Sequence, residues 1–344
     1  MADLDHTKDL LDLTSHDGGK HIAVSTTHRV SPFSPFWVGA VLFLACMFAL
    51  TLVVPGLYVL FVGYVVLQFI VLATGWNILG GYAGYLNFGA AAYFATGAYT
   101  TVALFQLTGG LPLPLLLVAA GIMGALLGFM VGVMSIRLRG IYFSIATLAI
   151  AIILETAVLN WDYVGGARGI SMFPDGTPWP FHSYTQWLFV VMSVLVVLAI
   201  AAARYVERSF VGRGLQALRD DEAAAECAGV PTLKLKLAAS SLSGAIMAVA
   251  GAPFVFYMSF IEPHSAFTLN YSLAAIAMPI IGGMSRWIGP VIGAVLLGTL
   301  QQIIAVRLSG EWNILVTGLV LMGFVIAAPS GIVGLLTRKH ARKG

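Results

Sequence analysis

From residue 30 to residue 136 the chain has no Asp, Glu, Lys or Arg. A soluble domain carries about a quarter charged residues and cannot go so far without one, so this stretch belongs in a lipid bilayer. The rest of the sequence agrees. Of 344 residues, 59% are hydrophobic and 10% charged, and the mean hydropathy is +0.92. The expected fold class is an all-α integral membrane protein. A net charge of +3 is too small to point to nucleic acid as a partner. Cys46 lies in an apolar run and Cys227 in a polar loop, so no disulfide framework is implied.

A helix needs about 20 mostly apolar residues to cross a bilayer. Ten stretches qualify, at roughly 37–55, 57–78, 85–106, 111–136, 141–160, 186–204, 237–258, 271–284, 288–306 and 312–336. The eighth is short and the third follows a glycine-rich break, so either reads equally as a broken or half helix. With the N-terminus inside, alternation of the loops puts 16 of the 18 Lys and Arg on the inner face, leaving Arg168 and Arg307 outside. That bias predicts a multi-pass protein with both termini cytoplasmic. It divides the chain into a polar, disordered cytoplasmic tail at 1–35, a polytopic domain at 36–337 and a basic cytoplasmic tail at 338–344. The first tail lacks the basic-then-apolar order of a cleavable signal peptide.

The longest inner loop, 205–236, contains "RGLQALRDDEAAAECAGVP" (213–231). Asp220 or Asp221 suits a helix N-cap, and Asp221 and Glu222 are favoured by the positive dipole end. Ala223, Ala224 and Ala225 are strong helix formers. Gly229 suits the left-handed position just past a helix end, and Pro231 prevents continuation. The spacing predicts a helix over about 221–228. Its small side chains can enter a groove on another protein and approach the backbone there, with Arg213 and Arg219 as charged contacts at the rim. A solvated linker between two spans has the same composition, and the residues alone leave both readings open.

Several segments together resemble the permeases of branched-chain amino acid ABC transporters, the LivM type. They are "SFVGRGLQALRDDEAAAECAGV" (209–230), "KLKLAASSLSGAIMAVAGAPF" (234–254), "YSLAAIAMPIIGGMSRWIGPVIGAVLLGTL" (271–300), "GWNILGGYAGYLNFGAAAYFATGAYT" (75–100) and "SIRLRGIYFSIATLAI" (135–150). The resemblance covers most of the membrane part. It implies a pore subunit of an importer in a bacterial plasma (inner) membrane, forming the path with a second homologous permease subunit. Two ATPase subunits would dock on the loop 205–236, and an extracytoplasmic binding protein would deliver the substrate. The first-choice cargo it implies is branched-chain or other hydrophobic amino acids; relatives carry urea, short amides or aromatic acids. The general importer pattern has three residues between Glu-Ala-Ala and Gly, whereas four separate Glu222-Ala223-Ala224 from Gly229 here. The phosphate-cradling pattern Gly-x-x-x-x-Gly-Lys-Ser/Thr does not occur in the sequence. ATP is therefore expected on the partner subunits, with no cofactor or metal on this chain.

A translocation path needs irregular backbone lining a cavity, because free backbone groups cannot face lipid. The best candidate is "GGYAGYLNFGAAAYFATGAY" (80–99). Gly80, Gly81 and Gly84 would break a helix there. Tyr82, Tyr85, Asn87, Tyr93, Thr96 and Tyr99 bring polar tips into an apolar setting. A helix restarting near Asn87 would aim its N–H groups at a carboxylate, and the rings suit an apolar side chain. Close helix packing by small residues, with tyrosines at the membrane surface, is the competing reading. A second glycine-rich place, with Gly282, Gly283, Gly289, Pro290 and Gly293, weakly echoes the first and reads as a tight turn with close packing. Glu155 is the one acid within a predicted span. No His-Glu-x-x-His or Gly-x-Ser-x-Gly occurs, so catalytic residues are not expected. A secondary transporter would place coupling acids in its spans. An ATP-independent channel remains as the alternative, but a channel has no need of a docking helix.

Overall fold

The computed structural model describes residues 35–307, apart from 54, 55, 136, 139, 175 and 178–180, together with eight isolated positions beyond 307. The tail at 1–35 (except Pro35), most of the tenth predicted span and the basic tail at 338–344 lie outside the described residues. In chain order the long helices are α1 (Pro35–Val53), α2 (Leu57–Asn77), α3 (Ala90–Thr108), α4 (Leu113–Met134), α5 (Ile141–Leu159) and α6 (Tyr184–Arg208). The short α7 (Phe210–Asp220) and α8 (Glu222–Cys227) follow, then α9 (Thr232–Gly251), α10 (Phe254–Met258) and α11 (Pro263–Ala266). The last two are α12 (Leu269–Gly282) and α13 (Ile288–Arg307). Two-residue strands β1 (Ile170–Ser171) and β2 (Phe260–Ile261) pair antiparallel. The chain divides into two units at residue 42. The described part of the first is the start of α1, with Trp37, Val38, Val41 and Leu42 exposed. Everything below concerns the second unit.

This is an all-α membrane protein, but the span count needs correcting. Among the described residues, eight helical stretches are long and apolar enough to cross a bilayer, rather than ten. The third predicted span is α3, which has the length (19 residues) but falls outside those eight. The reason is its position. From Ala90 to Val102 it is almost wholly buried against other helices, so it has no need to be apolar towards lipid. Its threonines return their hydroxyls to its own backbone, Thr96 to Ala92 O at 2.7 Å and Thr101 to Gly97 O at 3.0 Å. The eighth predicted span is α12, 14 residues long, and the preceding α11 extends it into the stretch Pro263–Gly282.

Small residues set the packing. Ala120, Gly124 and Gly128 recur every fourth residue on α4, and Ser240, Gly244 and Ala248 do the same on α9. The Ser240 hydroxyl donates to Gly128 O at 2.6 Å across the pair. A Cβ on Gly97, Gly124, Gly128 or Gly251 would overlap the facing backbone. In lipid, where apolar surface gains little by leaving tails for another helix, such close approach is what joins helices. The second glycine-rich place works the same way: a Cβ on Gly282, Gly289 or Gly293 would overlap backbone carbonyls of the α12–α13 turn region. Leu115, Val118, Ile122, Leu126 and Phe129 of α4 and Ile145, Ile152 and Ile153 of α5 point outward, as a lipid-facing surface requires.

Candidate functional site

The glycine-rich break begins where α2 ends. The helix widens into one π turn, Ile78–Tyr82, every residue of which is buried. π turns inside α-helices are uncommon and cluster at functional sites. Trp76, fully buried, lies so close over Gly80 that a Cβ there would overlap its ring. Its indole N–H donates to Asn87 O at 2.7 Å, which holds the returning chain in place. Tyr85 N donates to Leu79 O at 3.3 Å, and between them Gly84 sits at φ +77°, a left-handed conformation that glycine adopts without steric cost.

The chain then runs without regular secondary structure to Gly89, and α3 starts. The donors at that start are engaged by protein. Phe88 N donates to Thr147 Oγ1 at 3.1 Å, Gly89 N to Asn87 Oδ1 at 2.7 Å and Ala91 N to Ser272 Oγ at 3.0 Å. The N–H groups expected to meet a solute carboxylate therefore already have partners in this conformation.

The loop 205–236 folds into two helices, not one. α7 was missed, although Ser209 caps it, accepting from Gly212 N at 3.3 Å, and Leu215 and Leu218 form its buried stripe. α8 has the predicted ends. The Asp221 side chain accepts from Ala223 N at 2.9 Å and Ala224 N at 3.1 Å. Gly229 sits at φ +80°, and Val230 N donates back to Ala225 O at 3.0 Å. Ala225 is buried, while Ala223, Ala224, Asp220 and Gly229 are exposed. Arg213 is exposed as well and lies over the Phe210 ring at 4.3 Å.

Break and loop, read separately in the sequence, are one structure. Arg219 Nη1 donates to Gly81 O at 2.7 Å. The Tyr85 hydroxyl donates to Glu222 Oε2 at 2.8 Å, and Lys236 Nζ pairs with Glu222 Oε1 at 2.5 Å. Lys236 is buried and also lies 5.2 Å from the centre of the Tyr85 ring. A second carboxylate, Glu207 at the end of α6, accepts from Trp287 N at 2.7 Å and from the Tyr82 hydroxyl at 3.4 Å. Asn77 Nδ2 donates to Met284 O at 3.2 Å, so the two glycine-rich places meet. Lys236, Glu222 and Glu207 thus each have an opposite charge or a hydrogen-bond donor, as charges drawn out of water must.

Of the predicted path residues, Gly81, Tyr82, Gly84 and Tyr85 lie against the loop. Asn87 and Tyr93 are buried in the interior, and Thr96 is half-buried. Among the described residues, Asn87 Nδ2 and the Tyr93 hydroxyl are buried without a hydrogen-bond partner. Of the predicted loop residues, Arg219 and Glu222 tie the loop to the break, Asp221 is exposed and caps α8, and Arg213, Asp220, Ala223, Ala224 and Gly229 remain outward. The sequence reading missed Glu207, Lys236 and Trp287. The available signal was their position at the ends of spans, where a lone charge has to find a partner or reach water. Glu155 pairs with His264 Nδ1 at 2.7 Å, beside the β1–β2 end and away from the break.

Residues 58–325 match the family described as "Branched-chain amino acid transport system / permease component". The chain is 31% identical over 290 residues to the "High-affinity branched-chain amino acid transport system permease protein LivM" of Escherichia coli, covering 77% of this chain and 67% of the relative. It is 28% identical over 242 residues to the "Autoinducer 2 import system permease protein LsrC" of Salmonella typhimurium, covering 67% of each. No solved structure matches.

Proposed function

The chain belongs to the family of permease components of branched-chain amino acid transport systems, and from that premise we propose that it is the membrane-spanning subunit of an ATP-driven importer in a bacterial plasma membrane. A second homologous permease completes the path, two ATPase subunits dock on the loop 205–236, and a soluble binding protein supplies substrate on the opposite side. Both termini lie on the ATPase side, where the loop carries its basic residues. Branched-chain or other hydrophobic amino acids are the proposed cargo. A relative of comparable identity is named for autoinducer 2 import, so the permease fold does not by itself fix the solute. Urea, short amides and aromatic acids remain the second choice.

The observation that carries this reading is the join between loop and break. A solvated linker has no reason to send Arg219 and Glu222 back onto Gly81 and Tyr85, while a docking helix does. It presents Ala223 and Ala224 to a partner and passes the partner's displacement to the π turn of α2. In this reading the segment 81–99 forms the gate on the loop side, with Asn87 Nδ2 and the Tyr93 and Tyr99 hydroxyls as polar groups left for water or solute. Ala224→Trp places a bulky ring on the outward face of α8. Membrane insertion should be normal, and substrate-stimulated ATP hydrolysis by the assembled complex should be abolished. Unchanged stimulated hydrolysis would falsify the docking role.

A further inference from the structure

A cavity of about 510 Å³ lies between α2, α10, α12 and α13, and the gate does not account for it. Its α2 residues run from Phe61 to Phe69 at the middle of that helix, its α12 residues from Asn270 to Ala277, and its α13 residues come from the second half. None of them belongs to the break at 78–89 or to the loop 205–236. Phe61, Phe69, Phe254 and Leu297 supply apolar walls. Among the described residues, the polar lining is Gln68, Tyr257, Thr268, Asn270, Tyr271, Gln301 and Gln302, with no Asp, Glu, Lys, Arg or His. Gln68 is 3% exposed.

An amide buried in the middle of an apolar helix, as Gln68 is in α2, is costly in lipid, and such groups occur where helices meet or a water-filled space opens. Here amides from three separate elements converge on one space of the size that small-molecule sites have. We propose that this cavity is the solute station of the translocation path on the side away from the loop. It is suited to a small solute without net charge that has a polar head and an apolar body, such as an aliphatic amino acid zwitterion. The amides can both donate and accept, so they meet an ammonium and a carboxylate alike, while the aromatic walls take the side chain. Without an ion pair the hold is weak, as conduction requires: a solute must enter and also leave. The proposal rests on the permease reading and adds where in this chain the solute is held.

The test uses membranes containing the assembled complex with Cys46 and Cys227 replaced by Ser. Gln68→Cys and Gln302→Cys are compared with Ile122→Cys on the outward face of α4, using a water-soluble thiosulfonate that carries an ammonium group. Cavity positions should react at least tenfold faster than Ile122→Cys, and modification of Gln302→Cys should reduce uptake of labelled leucine per complex at least tenfold. Reaction as slow as at Ile122→Cys means that lipid or a second subunit fills the space, and overturns the proposal. Fast reaction with undiminished uptake overturns it too, since the space is then wet but off the path. Stimulated ATP hydrolysis by the unmodified complex tests the permease reading separately, and the labelling rates stand whichever way that result falls.

Discussion

The Lys236–Glu222 pair offers a quantitative check on how the loop is held. The two side chains are 5% and 15% exposed and 2.5 Å apart. At an effective dielectric near 20, unit charges about 4 Å apart attract by about 4 kcal/mol. Most of that gain offsets the desolvation of two ions, so replacing both with uncharged residues of similar volume is close to neutral. Removing one partner strands the other, which costs about 3–5 kcal/mol where the site is fully buried. Glu222 keeps some exposure and the Tyr85 hydroxyl, so the lower end applies. Lys236→Met and Glu222→Gln should each destabilise the protein by about 2–3 kcal/mol. The double variant should cost only about 1–2 kcal/mol, since Gln still accepts from Tyr85. The resulting coupling energy is about 3 kcal/mol, at the upper end for groups in contact. Detergent unfolding of the purified protein, followed by tryptophan fluorescence over the full double-mutant cycle, measures it. Single variants within about 0.5 kcal/mol of the parent, with additive effects, would mean that the pair is not formed in the folded protein and that the loop is held by something else.

Two further outcomes are expected. Gly84→Val forces a branched residue into a left-handed conformation, at a cost of about 1–3 kcal/mol, and sets its Cβ 3.0 Å from Arg219 Cγ. Uptake per assembled complex should fall at least tenfold while the binding protein keeps its own affinity, and normal uptake per complex would remove the break from the gate. Cysteine in place of His6 or Lys343 should resist an impermeant thiol reagent in intact cells and react once the cells are opened. Labelling of either from outside would reverse the proposed orientation.

The sequence by itself determined what depends on neighbours along the chain. The charge-free run required lipid. Continuous apolar stretches located most of the spans. An Asp before three Ala, with a Gly and a Pro after them, placed both ends of α8, because caps and left-handed positions are settled within a few residues. Tertiary structure decided what depends on neighbours in space. Hydropathy measures how well a helix suits lipid, so it says little about α3, whose surroundings are other helices. The sequence also kept apart a glycine-rich break and a loop that the fold joins. Tyr82 meets Glu207 across 125 residues and Tyr85 meets Glu222 across 137, and no local pattern records such pairs. Glycines at 81, 97, 124 and 282 read alike in the sequence. Only the facing atom separates them: Asn77 and the Met284 carbonyl at Gly81, the Ala248 backbone at Gly97, α9 at Gly124 and the Gly289 carbonyl at Gly282. That atom is fixed by how the helices stack, which the chain settles only when all of them are in place.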